Sequence, residues 1–391
     1  MMKVVHIVTL LELGGAQQTA LTLLRNLDRG RFEPVLFCGR GGFLDASAKE
    51  SGVRVRFVPG LRRPIRPWWD VLALVCLIRY LREERPALVH THSSKAGVLG
   101  RIAAWMAGVP AAVHTVHGFG FTPAQSPWGR ALFVALERCL ASITASLIFV
   151  SKSNREESLR RGIGRRTPRH LIRAAIPLQE FLPLAHSREA LPGIGLHPSD
   201  MVVTTIGPFK PQKNLSDFIR AAALVSERHP RARFLVVGDG EGRAEMEKEI
   251  VKHGLHDRVI LAGWRRDIPA VLNRTDIFCM TSLWEGLPMA LVEAMAAGLP
   301  CVVNGVDGCS DVIEDGQNGF LTVPGHPEAT AERILRLLAD PLLAVQMGQR
   351  ARESVGREFD SRSMVEAHER LYVSLLSQTS HESSRPSGNF G

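Results

Sequence analysis

Short apolar runs alternate with longer stretches of helical periodicity along most of this chain, and this alternation limits the possible fold more than any other feature. Six runs in the first half have the length and composition of strands: 3–10, 33–39, 53–59, 87–92, 111–118 and 147–151. The stretches that separate most of them, such as 16–27 and 68–84, carry the apolar spacing of helices. Strands joined by helices predict β-α-β units and a parallel sheet.

A second series of strand-like runs follows, at residues 201–207, 232–238, 258–263, 276–282, 300–305 and 319–323. Between the series, residues 181–200 are rich in Pro and Gly, so we expect the domain linker there. The fold class predicted is α/β, with two Rossmann-like, doubly wound domains whose parallel sheets face each other across a cleft. The predicted segments are a domain over 1–185, a domain over 186–360, a helix over 361–376 that packs back toward the first domain, and a disordered tail over 377–391.

Length and composition point to a globular protein without a membrane span. The 391 residues suffice for two domains with separate cores, and no apolar run approaches the ~18 residues of a spanning helix. The N-terminus is interpreted as a first strand rather than a signal peptide. The six cysteines form no C-x-x-C pair, which favours reduced core thiols in a cytosolic protein over a zinc site.

Charge is distributed unevenly along the chain. Residues 1–185 hold 26 basic and 12 acidic side chains, a net +14, whereas residues 186–391 hold 22 and 27, a net −5. Nucleic acid, an anionic membrane and a merely solvated arginine-rich surface all fit such a basic half. Three arginines, Arg62, Arg63 and Arg66, precede Trp68 and Trp69. Residues 68–84 therefore predict either an interfacial helix or an ordinary helix packed on the sheet, and 117–133 is a second candidate aromatic loop.

Two glutamates in the segment 284–300 suggest a ligand. Pro288 is suited to start a helix and Gly298 to end it, and nearly every residue between them is apolar. A helix that is apolar on all sides is usually buried, yet Glu293 lies in its middle. A carboxylate there requires a partner or a shifted pKa, and hydrogen bonds from a cis-diol would supply the partner. Glu285, just before the helix, is explained either by a sugar ligand or by favourable charge at the helix start.

Two further turns have the composition of phosphate sites. Gly207 ends a strand and is followed by Lys210 and Lys213, and Gly14 and Gly15 follow the first strand and open a helix. The stretch "VVGDGEG" (236–242) lacks the full G-x-G-x-x-G spacing, so it predicts only a tight turn near a nucleotide.

At the residues "EGLPMALVE" (285–293) the chain resembles the E-x7-E motif of the retaining glycosyltransferases of family 4, which have the GT-B fold. Other segments are similar to that family in the same order: Gly14-Gly15, 211–214, 236–242, 261–282 and 312–323. Residues 87–118 resemble members that build bacterial surface polysaccharides on lipid carriers. The resemblance covers most of the chain and is strongest from 201 to 325.

The resemblance implies a role for each candidate residue. The catalytic pair would be Glu285, on the donor sugar's hydroxyls, and His117, near the reacting sugar or the acceptor. Glu293 would bind the ribose diol. The rest of the donor site would comprise Gly15, Gly207, Lys213, Leu287, Pro288 and Met289. The domain 1–185 would bind the acceptor and 186–360 the nucleotide sugar.

The function implied is that of a hexosyltransferase. It would move a sugar from a nucleotide-diphosphate donor, with UDP as the favoured nucleotide, to a hydroxyl of a glycan or lipid-linked acceptor. The reaction would retain the configuration at the anomeric carbon and would belong to polysaccharide or lipopolysaccharide biosynthesis. No D-x-D-like motif stands at a strand end, so we expect no metal and no cofactor besides the donor. The expected location is the cytoplasm, peripheral to the inner face of the membrane, without nucleic acid as a partner.

One departure and three alternatives accompany this interpretation. Pro208 stands where the family commonly has arginine, and Lys210 is the candidate replacement for that charge. A nucleotide-sugar epimerase or hydrolase on the same fold is the main alternative. A nucleotide-dependent oxidoreductase is suggested only by 236–242, and a non-enzymatic nucleic-acid binder only by the basic half.

Overall fold

The chain forms two compact units. The structure, a computed structural model, describes residues 1–121, 125–182 and 191–383. The first unit comprises Met1–Ala175 and the chain from Ser361 onward, and the second comprises Ile176–Asp360. The division thus lies ten residues before the expected 185/186, and Ile176 forms a β-bridge with Asp360 inside the second unit. Within the expected linker, Leu191, Ile194 and Leu196 are buried in the core of the second unit.

The first unit is built on a seven-stranded parallel sheet with the order β3-β2-β1-β4-β5-β6-β7. Its strands are β1 (Met2–Val8), β2 (Phe32–Cys38), β3 (Arg54–Phe57), β4 (Leu88–His92), β5 (Ala111–Val116), β6 (Ser146–Phe149) and β7 (Arg169–Leu171). The helices between them are α1 (Gly15–Asn26), α2 (Asp45–Glu50), α3 (Pro67–Glu84), α4 (Ser94–Ala107), α5 (Pro127–Ala141) and α6 (Lys152–Arg160). All six predicted strands are present; β7 is too short to leave a periodic pattern.

The second unit carries a six-stranded parallel sheet with the order β10-β9-β8-β11-β12-β13. Its strands are β8 (Met201–Ile206), β9 (Ala232–Val237), β10 (Val259–Gly263), β11 (Ile277–Met280), β12 (Cys301–Asn304) and β13 (Phe320–Thr322). Its helices are α7 (Leu215–Arg228), α8 (Arg243–Lys252), α9 (Ile268–Asn273), α10 (Met289–Ala296), α11 (Asp307–Ser310), α12 (Pro327–Ala339) and α13 (Pro341–Glu353). Renumbered within the unit, this order is 3-2-1-4-5-6, which dinucleotide-binding Rossmann sheets have. The predicted α/β class with two Rossmann-like parallel sheets is confirmed.

The last helix, α14 (Ser361–Ser383), belongs to the first unit. Its buried residues Met364, Val365, Tyr372 and Leu375 share a core with strands β1, β4 and β5. The prediction of a disordered tail from 377 is wrong for residues 377–383, which continue the helix. They contain neither Gly nor Pro, the two residues least favourable in a helix. Residues 384–391 of the expected tail lie outside the described residues.

Candidate functional site

The candidate residues of the second unit lie where the chain leaves β8 and β11, the strands between which the strand order reverses. Gly207 follows β8, Glu285 lies in the loop after β11, and Met289 begins α10. In open parallel sheets, ligands bind outside the carboxyl ends of the strands at such a reversal. The structure therefore brings these predicted residues to the expected ligand position of this sheet.

Lys213 and Glu285 form an ion pair. The Nζ of Lys213 lies 2.6 Å from Oε1 of Glu285, and the two side chains are 14% and 7% exposed. Gln212 adds a weaker contact, donating from Nε2 to the other carboxylate oxygen over 3.4 Å and to the carbonyl of Trp284 over 2.8 Å. The expected phosphate-binding lysine is thus held by the expected sugar-binding carboxylate, so both residues belong to one site rather than two.

Backbone contacts fix the loops that carry this pair. The amide of Leu283 donates to the carbonyl of Gln212 over 2.8 Å, and the Thr281 hydroxyl donates to the carbonyls of Lys213 and Asn214. Asn304 donates to the carbonyl of Ser282 over 3.1 Å. The turn after β8 and the loop after β11 are therefore joined at several points, which limits the freedom of Lys213 relative to Glu285.

The glycine-rich stretch 236–242 allows close backbone packing beside Gly207. Gly238 has φ +136°, and a Cβ there would lie 1.9 Å from the carbonyl oxygen of Gly207. The amide of Gly207 in turn donates to the carbonyl of Val237 over 2.9 Å. At Gly238 a side chain is excluded by geometry, so this glycine is accounted for by packing without any nucleotide.

The start of α10 presents backbone amides that no side chain caps. Pro288 is its N-cap residue, with extended dihedrals, one position earlier than the helix residue that the sequence suggested. Leu287 is buried just before it, and the approach of Gly308 to the carbonyl of Gly286 leaves no room for a Cβ. Uncapped amides at a helix start, together with the helix dipole, suit an anion.

Glu293 lies in the middle of α10; its backbone carbonyl accepts from the amide of Ala297, and its side chain has no hydrogen-bond partner among the described residues. The side chain is half-buried, and burial raises its pKa from 4.5 to about 7, with the carboxyl of Glu180 as the second cause. Ionising this carboxyl is unfavourable unless a hydrogen-bond donor contacts the carboxylate. An unpaired acid of this kind could accept hydrogen bonds from hydroxyl groups of a ligand.

In the first unit, Gly15 begins α1, and six residues separate it from the end of β1. Its preceding residue, Gly14, is the N-cap with extended dihedrals, and no side chain bonds to the first amides of the helix. An uncapped helix start is therefore present at Gly15, and its role as an anion site stays a prediction.

His117 follows β5 and is half-buried. Its Nε2 lies 3.1 Å from Nδ1 of His92, while its Nδ1 has no hydrogen-bond partner among the described residues. Burial, and secondarily the charge of His368, lowers the pKa of His117 to about 3, so the ring is neutral near pH 7.

Sequence reasoning missed the buried groups behind His117. His6 on β1 lies beside His90 on β4 in the sheet register, and His92 lies two residues further on the same face. His6, His90 and His92 each have a ring nitrogen within 4.8 Å of the others, a spacing loose enough to admit a metal ion. The signal was visible in the sequence, because "VHTH" places two histidines at strand spacing.

The departure at Pro208 leaves a turn of ordinary geometry. The amide of Lys210 donates to the carbonyl of Pro208 over 2.8 Å, and Lys210 precedes the short 3₁₀ turn Pro211–Lys213. The compensating role of Lys210 stays a prediction.

Helix α3 is apolar on two sides. Ala73, Leu77 and Leu81 are buried against the sheet, whereas Trp68 is 88% and Val75 57% exposed. The helix therefore packs on the sheet, as one of the two expectations has it, and also exposes apolar side chains to solvent; the interfacial role stays a prediction. Residues 122–124 of the second aromatic segment are outside the described residues, but Trp128 on α5 is 88% exposed.

Within the described ranges, no helix has both the length and the apolar character needed to cross a bilayer.

Comparisons with known proteins agree across both units. Residues 188–354 match the family Glycosyl transferases group 1, and residues 14–175 match the Glycosyl transferase 4-like domain. The chain is 32% identical over 378 residues to the UDP-Gal:alpha-D-GlcNAc-diphosphoundecaprenol alpha-1,3-galactosyltransferase of Escherichia coli, covering 96% of this chain and 97% of that one. It is 29% identical over 304 residues to the putative glycosyltransferase EpsD of Bacillus subtilis, covering 76% and 79%. The crystal structure of Anabaena Alr3699/HepE in complex with UDP and glucose superposes with TM-score 0.81 at 21% identity, covering 96% and 100%.

Proposed function

The chain belongs to the group 1 glycosyl transferases, and we propose that it moves a hexose from a UDP-sugar to a hydroxyl of a lipid-linked or free glycan, with retention at the anomeric carbon. Glu293 carries this proposal, because its carboxyl has no side-chain partner among the described residues and lies on α10, the helix that follows β11 and the Glu285 loop at the ligand position of the second sheet. The Escherichia coli relative is named for a UDP-galactose donor and a diphosphoundecaprenol-linked acceptor, and HepE was crystallised with UDP and glucose. These names support the donor and acceptor classes proposed for this chain.

In this proposal the second unit binds the donor. The ribose hydroxyls donate to the carboxylate of Glu293, and the diphosphate lies against the uncapped amides at residues 287–290. The Nζ of Lys213 contributes one positive charge near the same place. As the glycosidic bond breaks, negative charge grows on the diphosphate, and fixed amides and a lysine stabilise that charge.

Glu285 has two tasks in this mechanism. It holds Lys213 in position in the free enzyme, and it accepts hydrogen bonds from sugar hydroxyls when the donor binds. A hydroxyl that takes one carboxylate oxygen weakens the contact with Lys213, which can then turn to the diphosphate. Because lysine and the helix start supply positive charge, we propose that transfer does not require a divalent metal ion.

A binding screen followed by a transfer assay tests the proposal. UDP-galactose, UDP-glucose, UDP-N-acetylglucosamine and, as a control, GDP-mannose should be compared by thermal shift. A ligand at 100 times its Kd adds about 2.7 kcal/mol of stability, so a UDP-sugar should raise the melting temperature and GDP-mannose should not.

Transfer is then measured with a polyprenol diphosphate-linked N-acetylglucosamine acceptor, and the product's anomeric configuration is read by NMR. A product with the donor's configuration supports retention. Consumption of donor without acceptor, giving free sugar or an epimer, would instead favour a hydrolase or an epimerase on this fold.

We also propose that the first unit binds an anionic membrane surface to reach a lipid-linked acceptor. Support comes from the net +14 of residues 1–185 and from exposed apolar side chains on α3 next to Arg62, Arg63 and Arg66. The Arg62 guanidinium lies 4.6 Å from the ring centre of Trp69, an arrangement of cation and aromatic ring that suits a membrane interface. Each basic residue near an anionic surface contributes about 1 kcal/mol.

Co-sedimentation with liposomes tests this surface. Binding should require anionic lipid, fall with salt, and weaken when Arg62, Arg63 and Arg66 are all replaced by Ser. The matched control replaces three exposed arginines of the second unit, Arg228, Arg231 and Arg350, by Ser. Equal loss in both triple variants, or equal binding to neutral liposomes, would contradict a docking surface on α3.

A further inference from the structure

Five side chains connect His117 to the interior of the first unit through hydrogen bonds. From His117, contacts run to His92 (3.1 Å), from His92 to His6 (3.0 Å), and from His6 to the hydroxyl of Tyr372 (3.5 Å). The same hydroxyl lies 2.5 Å from Nδ1 of His90, whose Nε2 lies 2.7 Å from the hydroxyl of Thr115. Three strands and α14 thus contribute to one unbroken line of polar groups, which we call the histidine chain.

All four rings in the chain are neutral near pH 7. Burial lowers the pKa of His6 and of His117 to about 3 and holds the pKa values of His90 and His92 well below the ordinary value. A neutral imidazole has one N–H donor and one lone-pair acceptor. The direction of any one hydrogen bond therefore fixes the direction of its neighbours.

The direction of the chain is assigned at Tyr372. The phenol has one proton and two neighbouring ring nitrogens, and we assign that proton to the shorter contact, 2.5 Å to Nδ1 of His90, rather than to the 3.5 Å contact with Nε2 of His6. His90 then carries its proton on Nε2 and donates to Thr115. The phenol oxygen, having used its proton, accepts the longer bond from Nε2–H of His6.

Because each neutral ring carries one proton, the donor and acceptor roles in the remaining hydrogen bonds are then determined. Nδ1 of His6 accepts from Nε2–H of His92, and Nδ1 of His92 accepts from Nε2–H of His117. We propose that this directed chain holds His117 with its proton on Nε2 and leaves Nδ1 as an acceptor for a substrate hydroxyl. His92, His6, Tyr372 and His90 are then positioning residues, and the substrate's identity rests on the proposed function.

The surroundings leave this direction undisturbed. His368 on α14 packs 5.6 Å from His90, ring centre to ring centre, but its Nδ1 donates to the carbonyl of Met364 over 2.8 Å. The carboxylate of Glu369 accepts from the amide of Asp28 over 2.7 Å, and the next buried histidine, His114, bonds to Thr91. Among the described residues, no carboxylate hydrogen-bonds to a member of the chain.

A metal ion bound by His6, His90 and His92 is the competing explanation. All six ring nitrogens of these residues already have hydrogen-bond partners. A metal would need one lone pair from each ring, so binding it would break at least part of the chain. The observed contacts therefore favour the chain, and metal content becomes one outcome of the test.

The direct test is ¹⁵N NMR of the full-length protein labelled at histidine, with the His117 signals identified by their loss in His117→Gln. In the wild type, Nε2 of His117 should show the shift of a protonated nitrogen and Nδ1 that of an unprotonated one. Tyr372→Phe removes the hydroxyl without changing the ring, and it should give His117 signals averaged between both tautomers. Tyr80→Phe, at the chain's one other tyrosine, is the matched control and should leave them unchanged.

Kinetics provide the second readout. Tyr372→Phe should lower kcat about fivefold, the equivalent of one neutral hydrogen bond, while the Kd for UDP stays within twofold of wild type. If Tyr372→Phe does not fold, Thr115→Val at the far end of the chain is used for the same measurements. The NMR arm needs no substrate, so it stands even if the proposed transfer reaction fails.

Three results would overturn the inference. One is a protonated Nδ1 on His117 in the wild type. Another is a set of His117 signals that neither Tyr372→Phe nor Thr115→Val changes. The third is one equivalent of zinc in the purified wild-type protein, which would assign the same histidines to a metal centre.

Discussion

Replacing Glu293 with glutamine should stabilise the free protein and weaken nucleotide binding at the same time. The pKa of this carboxyl is raised from 4.5 to about 7 in the folded protein. Each pKa unit corresponds to about 1.4 kcal/mol, so ionised Glu293 destabilises the folded state by up to about 3 kcal/mol at pH 8. Solvent around the half-buried side chain reduces this value, and we expect about 1–3 kcal/mol.

The sign of the pH dependence follows from the direction of the shift. Below pH 4.5 the carboxyl is protonated in both states, and Glu293 then destabilises nothing. The destabilisation grows as pH rises from 4.5 to about 7 and is constant above that. Glu293→Gln should therefore melt close to wild type at pH 4.5. At pH 8 it should melt about 2–12 °C higher, since 1 kcal/mol shifts a unit of this size by about 2–4 °C.

Nucleotide affinity should change in the opposite direction. A hydrogen bond to a charged group contributes about 1.5–3 kcal/mol, so calorimetric titration with UDP at pH 8 should show ~10- to 150-fold weaker binding to Glu293→Gln. Glu285→Gln is the control, because that carboxylate is paired with Lys213 and its loss should give no gain in stability. An unchanged melting temperature at pH 8, or an unchanged UDP affinity, would refute the reasoning.

Four further predictions concern the same unit. Lys213→Ala should weaken UDP and UDP-sugars but not uridine; equal affinities for all three in calorimetry would remove Lys213 from the diphosphate site. Glu285→Ala should lower kcat more than UDP affinity, because the proposed contact is with the sugar; the reverse pattern in steady-state kinetics would place Glu285 on the nucleotide. Dialysis against EDTA should leave transfer within twofold of the untreated enzyme, and activity restored only by added Mg²⁺ or Mn²⁺ would contradict the metal-free proposal. Gly238→Ala should destabilise the protein by about 2 kcal/mol or more in urea unfolding, because the new Cβ would lie 1.9 Å from the carbonyl oxygen of Gly207. Gly254→Ala is the control: Gly254 has φ +66° but open space around it, so the substitution should destabilise the protein by only about 1 kcal/mol. Equal effects of the two substitutions would argue against tight packing at Gly238.

The strands and the donor-site residues could be predicted because their signals are local. Buried parallel strands have the sequence of short apolar runs, and all twelve predicted runs correspond to strands. Glu293 could be singled out because a carboxyl inside an apolar helix is conspicuous without any tertiary information. The end of α10 at Gly298, which has φ +80°, follows from glycine chemistry alone.

What could not be predicted depends on distant parts of the chain. The pairing of Lys213 with Glu285 joins residues 72 positions apart, and periodicity says nothing about such contacts. The contact between Tyr372 and His90 spans 282 positions. The division after Ala175 differs from the expected one because Pro and Gly within 181–200 suggested a linker, whereas Leu191, Ile194 and Leu196 in that segment pack into the second unit.

The placement of α14 has a consequence for the order in which the protein assembles on the ribosome. Residues 176–360 form one continuous stretch, so the second unit can complete its core as soon as that stretch has emerged. The first unit begins earlier but lacks the segment from Ser361 that covers Val4, Phe32 and Leu88. At about 5–20 residues per second, roughly 185 further residues take about 10–40 s to synthesise. During that interval the nascent first unit exposes an apolar surface, and chaperone binding to stalled chains should be strongest there and should end once α14 has been released.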